Sequence, residues 1–374
     1  MQFIYLTSKK YPSGTADHFF VREMANAFGR VLKKDFLFVV GNNATDFFKS
    51  VNVLNLGLKK GRGRTLYYFF WLPYFIFRQG LAAKPVVFFS NDPNLLVDLI
   101  LIRTLFRFKY RICSEWHTVY GDWRDGFIVR HSDFWVATSY MLRDAIVKKA
   151  GRAVDARNAL VVYGGVNTQE YGRSSVSELR ERLHLPKDKV LVAYVGLFKT
   201  LGVKKSIDAM INALAYLPEN VMMVFVGGKK DEIAEYRGQI SDPALLDRCI
   251  FIEKQPHEMV PLYQAAVDIL VIPNPDKPPF NNYCIPMKIY EYLASGKPIV
   301  YSKLALLDEA LSDCGFGFAP DDSRDLAARV SSIMRGESEE VTRKKAIASE
   351  KASRYSWDER AKAIVHFLGL RDNQ

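Results

Sequence analysis

Short runs of β-branched and aromatic residues alternate with helix-length stretches along the chain, and the alternation restarts once. The first series is Phe3 to Leu6, Phe36 to Val40, Val51 to Leu56, Val86 to Phe89, Tyr110 to Ser114, Phe134 to Ala137 and Leu160 to Val162. The second is Val190 to Val195, Val221 to Val226, Ile250 to Ile252, Ile269 to Ile272, Ile299 to Tyr301 and Gly317 to Ala319. Strands spaced by helical crossovers predict mostly parallel sheets covered by helices on both faces. A chain of 374 residues is also too long for one ordinary core. Two doubly wound α/β domains are therefore expected, divided at a Gly/Arg/Ser-rich passage near Arg173. Sheets of this kind bind ligands at the carboxyl ends of their strands, and two facing domains create a cleft.

Charge distinguishes the two halves. Residues 1–173 hold 25 Lys and Arg against 13 Asp and Glu, whereas residues 174–374 hold 27 against 28. The whole net charge of +11 is thus carried by the first half, which predicts an anionic partner on that side. Lys59, Lys60, Arg62 and Arg64 form a Gly-broken basic stretch leading into Leu66 to Phe77, a run dense in Tyr, Phe and Trp. Basic residues beside aromatics suit a segment lying at lipid headgroup depth, although a core helix with solvated edges fits the same run. A second such run, Leu95 to Tyr110, carries Arg103, Arg107 and Lys109. Nucleic acid is disfavoured as the partner, because no zinc spacing, aromatic RNA-binding strand or homeodomain-like helix occurs.

Several classes drop out. Cys113, Cys249, Cys284 and Cys314 are widely separated, which argues against a zinc site and a disulfide framework and predicts a reducing, cytoplasmic setting. The segment from Met1 lacks the features of a secretion signal, and Leu66 to Phe77 contains Pro73 and is too short to span a bilayer. Neither a Gly-x-Gly-x-x-Gly fingerprint nor a Walker loop is present, so an ordinary dinucleotide oxidoreductase or P-loop enzyme is disfavoured. With no Asp-x-Asp and no His/Asp/Glu cluster, neither a metal nor a resident cofactor is expected.

The loops after the strands carry the candidate chemistry. Gly14 lies between the first strand and a helical pattern, where backbone amides favour a phosphate, although one glycine also suits a plain turn. Val190 to Gly196 runs into a segment with Lys199, Lys204 and Lys205, a potential cluster around an anion. Pro286 to Ala294 reads as a helix closed by Gly296, with Glu291 inside it. A carboxylate can accept two hydrogen bonds from vicinal hydroxyls, the chemistry a ribose requires.

These segments resemble family-4 retaining glycosyltransferases with the GT-B fold. The matching residues are Tyr194 to Gly196 with Lys205, Phe225 to Gly228, Ala266 to Pro273, and Glu291 to Val300. Val162 to Tyr171 resembles the family's interdomain strand and turn, and Tyr355 to Trp357 its C-terminal helix. The resemblance implies domains at 1–173 and 174–355, with 356–374 returning to the first. It implies transfer of a sugar from a nucleoside diphosphate sugar to a glycan or lipid-linked acceptor, without a metal. Glu291 matches the residue that holds the donor ribose, and Lys205 the one that neutralises the diphosphate, with Lys199 assisting. Gly14 and Gly196 match glycines beside the diphosphate, and Gln255 and Pro256 the loop framing the base. His117 matches the histidine beside the reacting sugar, and Tyr120, Asp122 and Trp123 follow it on the acceptor side.

Two positions depart from the family pattern. Leu197 stands where an Arg is usual, and Tyr283 where the first Glu of a pair is usual. The resemblance then implies that loop amides around Tyr283, Ile285 and Met287 cradle phosphate. Loss of those groups also leaves room for a non-catalytic nucleotide-sugar-binding protein or a nucleotide-sugar epimerase of the same fold.

Overall fold

The computed structural model describes residues 1–11, 16–43, 48, 51–58, 64–151, 156–172, 174–281, 285–335 and 339–370. The chain divides into two compact units, one made of Met1–Gly164 with Trp357–Gln374 and the other of Gly165–Ser356. The change of unit thus falls nine residues before the Arg173 passage. The C-terminal stretch contains two helices, of which Glu339–Arg354 belongs to the second unit and Trp357–Phe367 to the first. The two crossings are neighbours, because Val166 pairs with Ser356 and its N–H donates to the Tyr355 carbonyl at 2.8 Å.

In the first unit the strands are β1 (Gln2–Tyr11), β2 (Phe36–Asn43), β3 (Val53–Asn55), β4 (Val86–Ser90), β5 (Arg111–Trp116), β6 (Phe134–Ala137) and β7 (Ala159–Val161). They form a parallel sheet in the order β3-β2-β1-β4-β5-β6-β7. Every residue of β4 is buried, as expected for a parallel strand covered on both faces. The second unit contributes β8 (Val190–Val195), the short antiparallel pair β9 (Lys199–Thr200) and β10 (Val203–Lys204), β11 (Val221–Gly228), β12 (Cys249–Glu253), β13 (Ile269–Ile272), β14 (Ile299–Ser302) and β15 (Phe316–Phe318). Its main sheet is parallel, in the order β12-β11-β8-β13-β14-β15.

Each sheet reverses its winding at one place, between β1 and β4 in the first unit and between β8 and β13 in the second. A crevice opens at such a switch point, beyond the carboxyl ends of the strands. At the second one, Tyr292 fastens its helix to β8: the Val195 N–H donates to its hydroxyl at 2.9 Å, and the hydroxyl donates to the Val195 carbonyl at 3.2 Å.

The helix Arg64–Arg78 resolves the double reading of the aromatic run, because it is amphipathic. Tyr68, Leu72, Phe75 and Ile76 are buried, while Phe70, Tyr74 and Phe77 are 67%, 63% and 59% exposed. Its outer face continues onto Phe106 and Phe108, whose rings lie 6.3 and 5.1 Å from Phe77. Leu105 and the exposed Arg78, Arg107 and Lys109 adjoin that face. Among the described residues no helix is long and apolar enough to cross a membrane.

Candidate functional site

The second unit gathers a polar site at its switch point. Gly196 follows β8, and β11 comes so close that a side-chain carbon on Gly227, which has a φ of +118°, would lie 2.4 Å from the Gly196 carbonyl oxygen. The β9–β10 hairpin then returns the chain, and the Lys205 N–H donates to the Phe198 carbonyl at 2.9 Å. This turn separates the three lysines. Lys204 reaches Glu235 at 2.5 Å, and Lys199 lies 3.5 Å from Glu235 and 4.0 Å from Glu232. Lys205 points inward, 4% exposed; it donates to Asn274 Oδ1 at 2.7 Å, and its ammonium stands 3.5 Å from the Phe280 ring centre.

A second ammonium enters from the next helix, Lys288–Ala294. Pro286 precedes its first helical residue by two positions, and Met287 is its N-cap. Lys288 Nζ donates to the Tyr194 hydroxyl at 2.7 Å and sits 3.9 Å from that ring's centre. Burial, reinforced by Lys288, pushes Lys205 down to about 6. Burial pushes Lys288 down to about 7 against the upward pull of Glu291. Glu291 accepts from Gln264 Nε2 at 3.1 Å, and Gln264 accepts from the Tyr171 hydroxyl at 2.6 Å. Ile285 is buried beside this helix, Gln255 Nε2 donates to the Glu253 carbonyl at 3.1 Å, and Pro256 caps a short 3₁₀ turn. Leu197 is half exposed. Tyr283 and Gly14 lie outside the described residues, as do Lys59, Lys60 and Arg62 and the side chain of Arg64.

The first unit holds a different cluster. His117 follows β5, its ring 4.3 Å edge-on from that of Phe20, its Nε2 3.4 Å from Glu115 Oε2. Glu115 is fully buried and accepts from Arg360, which also donates to the Val162 and Tyr163 carbonyls. Burial alone would push Glu115 up, but Arg360 and His117 outweigh it and hold its carboxyl below the usual range. Glu115 and Arg360 were not candidates in the sequence reading. Asp122 caps the helix Trp123–His131 through the Arg124 N–H at 2.9 Å and pairs with the Arg124 guanidinium. Tyr120 donates to the Asn91 carbonyl at 3.3 Å, and Trp123 is 65% exposed. Of the acceptor-side candidates, Asp122 and Trp123 are exposed and Tyr120 is half-buried.

Solved structures define the fold class. Over 99% of this chain and all of the other, it resembles HepE of Anabaena, solved in complex with UDP, with a TM-score of 0.74 at 18% identity. A glycosyltransferase from Rickettsia africae gives a TM-score of 0.76 at 13% identity over the whole of this chain and 99% of the other. The fold is GT-B, built from two parallel-sheet α/β units.

At the level of sequence, residues 189–335 match the family described as glycosyl transferases group 1. The chain is 26% identical over 248 residues to a D-inositol 3-phosphate glycosyltransferase of Xylanimonas cellulosilytica, covering 64% of this chain and 57% of that protein. A protein of the same description from Mycolicibacterium smegmatis is 26% identical over 215 residues, covering 55% of this chain and 46% of that protein. The chain therefore spans about half the length of these curated relatives.

Proposed function

We propose that this protein transfers a sugar from a nucleoside diphosphate sugar to a glycan or lipid-linked acceptor, with retention of anomeric configuration and without a metal ion. The observation behind the reading is that Lys205, turned inward to Asn274, and Glu291, held by Gln264, belong to the parallel-sheet unit that bears the family match. Lys205 meets the charge that grows on the departing diphosphate, and Glu291, held by Gln264, accepts from the donor ribose. His117 orients the reacting sugar. Gln255 and Pro256 frame the base. The solved relative with UDP bound supports a nucleotide donor, and the absence of an Asp-x-Asp pair from the sequence supports cationic side chains in place of a metal.

The test is incubation of the full chain with UDP-, GDP- and ADP-sugars and candidate acceptors, followed by product analysis. A glycoside with the donor's anomeric configuration is expected, formed equally in EDTA. An inverted product refutes retention, and activity that requires a divalent ion refutes metal independence. An epimerised sugar, or binding without turnover, refutes transfer itself.

The acceptor is proposed to lie at the cytoplasmic face of an anionic membrane, to which the first unit attaches peripherally. Support comes from the outward row of Phe70, Tyr74 and Phe77, adjoined by Arg78, Arg107 and Lys109. Sedimentation with anionic liposomes should retain the protein. Replacing Phe70, Tyr74 and Phe77 together by Ser should release it, and unchanged sedimentation of that folded variant would refute attachment through this face.

A further inference from the structure

We infer that Lys288 is the second cation of the diphosphate site, gripping the anion together with Lys205 in the position that Leu197 leaves without an arginine. The inference rests on the donor-site reading above and assigns a residue to it.

Four observations carry it. A side-chain carbon on Gly196 would lie 2.3 Å from Lys288 Nζ, so the ammonium occupies space that exists because residue 196 is glycine. The Tyr194 ring and hydroxyl hold that ammonium in place, and Tyr292 locks the same helix onto β8. Lys199, the other cation near this strand end, is engaged by Glu235 and Glu232. Among the described residues neither Lys205 nor Lys288 forms an ion pair with a carboxylate. Glu291, one turn along from Lys288, is turned to Gln264. The site therefore brings two ammonium groups together, one of them seated against Gly196, and among the described residues Glu291 pulls on Lys288 without bonding to it.

Enclosure and mutual repulsion lower the proton affinity of such a pair, and an arriving anion raises it again. Lys205 is held at about 6 and Lys288 at about 7, so both are mostly neutral in mildly alkaline solution before the anion arrives. Among the described residues, the other titratable groups near them are Glu291 on the same helix and the Tyr194 and Tyr236 hydroxyls, and burial pushes both hydroxyls up, out of the relevant range. A diphosphate that binds here draws protons onto the lysines.

The experiment is calorimetric titration of the full chain with inorganic pyrophosphate near pH 8, in two buffers of different ionisation enthalpy. Proton uptake makes the apparent binding enthalpy depend on the buffer. Lys288→Met should weaken pyrophosphate binding by about tenfold or more and reduce that dependence, leaving only the uptake by Lys205. Gly196→Ala, which pushes the ammonium from its seat, should weaken binding in the same direction, so a folding failure of one variant leaves the other informative. Wild-type affinity and buffer dependence in either folded variant overturns the inference. Its failure is distinguishable from failure of the proposed activity. Pyrophosphate binding that depends on Lys288, in a protein that transfers no sugar, sinks only the activity. Sugar transfer by Lys288→Met at an unchanged donor KM sinks only the inference.

Discussion

Each unit buries charge beside a strand end, and the two solve the problem in opposite ways. In the first, the carboxylate of Glu115 is matched by the guanidinium of Arg360, which is itself 1% exposed and shared with two backbone carbonyls. In the second, two lysines are enclosed with hydroxyl, amide and aromatic neighbours but no carboxylate bonded to either. A matched pair is a structural fastening, complete without any other molecule. An unmatched pair sacrifices some stability and gains affinity for whatever brings the missing charge.

Breaking the fastening should have the largest effect. Arg360→Leu leaves Glu115 buried with His117 in place of a guanidinium partner, and truncating one partner of a buried pair typically costs about 3–5 kcal/mol. Urea unfolding should register that loss in the first unit. The pH dependence follows from the same group: its native pKa is depressed, so its contribution is present above the ordinary Glu range and disappears as pH falls through the native value. Arg360→Leu should flatten that acid limb, and an unchanged limb would mean the pair contributes nothing to it.

The donor site should respond next. Glu291→Ala is expected to weaken donor binding by roughly 1.5–3 kcal/mol, the range for a hydrogen bond to a charged group, as read by donor titration. Equal affinity in the folded variant would remove Glu291 from the ribose. Lys288→Met should act with the opposite sign on the ligand-free protein. A lysine whose native pKa is lowered binds fewer protons in the folded state between about pH 7 and its unfolded value near 10, so its presence destabilises the fold there and the penalty fades as pH rises. The variant should therefore melt higher than wild type at neutral pH, by an amount on the order of 1–3 kcal/mol, with the gap closing towards alkaline pH. A lower melting temperature would mean that packing of the lysine stem outweighs its charge. Smallest is Asp122→Ala, which removes a helix cap and should cost about 1 kcal/mol in thermal melts while sparing donor affinity.

The strands were legible because their signal is local. Phe36 to Val40, Val86 to Phe89 and Ile269 to Ile272 each begin on the residue where the observed strand begins. The separation of roles among Lys199, Lys204 and Lys205 was not legible, because a two-residue hairpin turns Lys204 out to Glu235 and Lys205 in to Asn274. Lys288 was not singled out in the sequence for a similar reason: its surroundings are set by Gly196 and Tyr194, nearly a hundred positions earlier. A glycine at a strand end, paired with a helix-start lysine, was the available signal. Glu115 drew no notice between Ser114 and His117, and nothing near it in sequence announces an arginine 245 positions away.

That separation also orders events in time. The first unit is interrupted by the whole of Gly165–Ser356 and takes its closing helix from the far side of that insertion. A ribosome making this chain releases Glu115 long before Arg360 exists, and the second unit, whose residues are all made by then, is free to fold first. Until the helix Trp357–Phe367 arrives, β5 must keep its carboxylate hydrated or protonated. The first unit reaches its native state only after the whole of the second has been made.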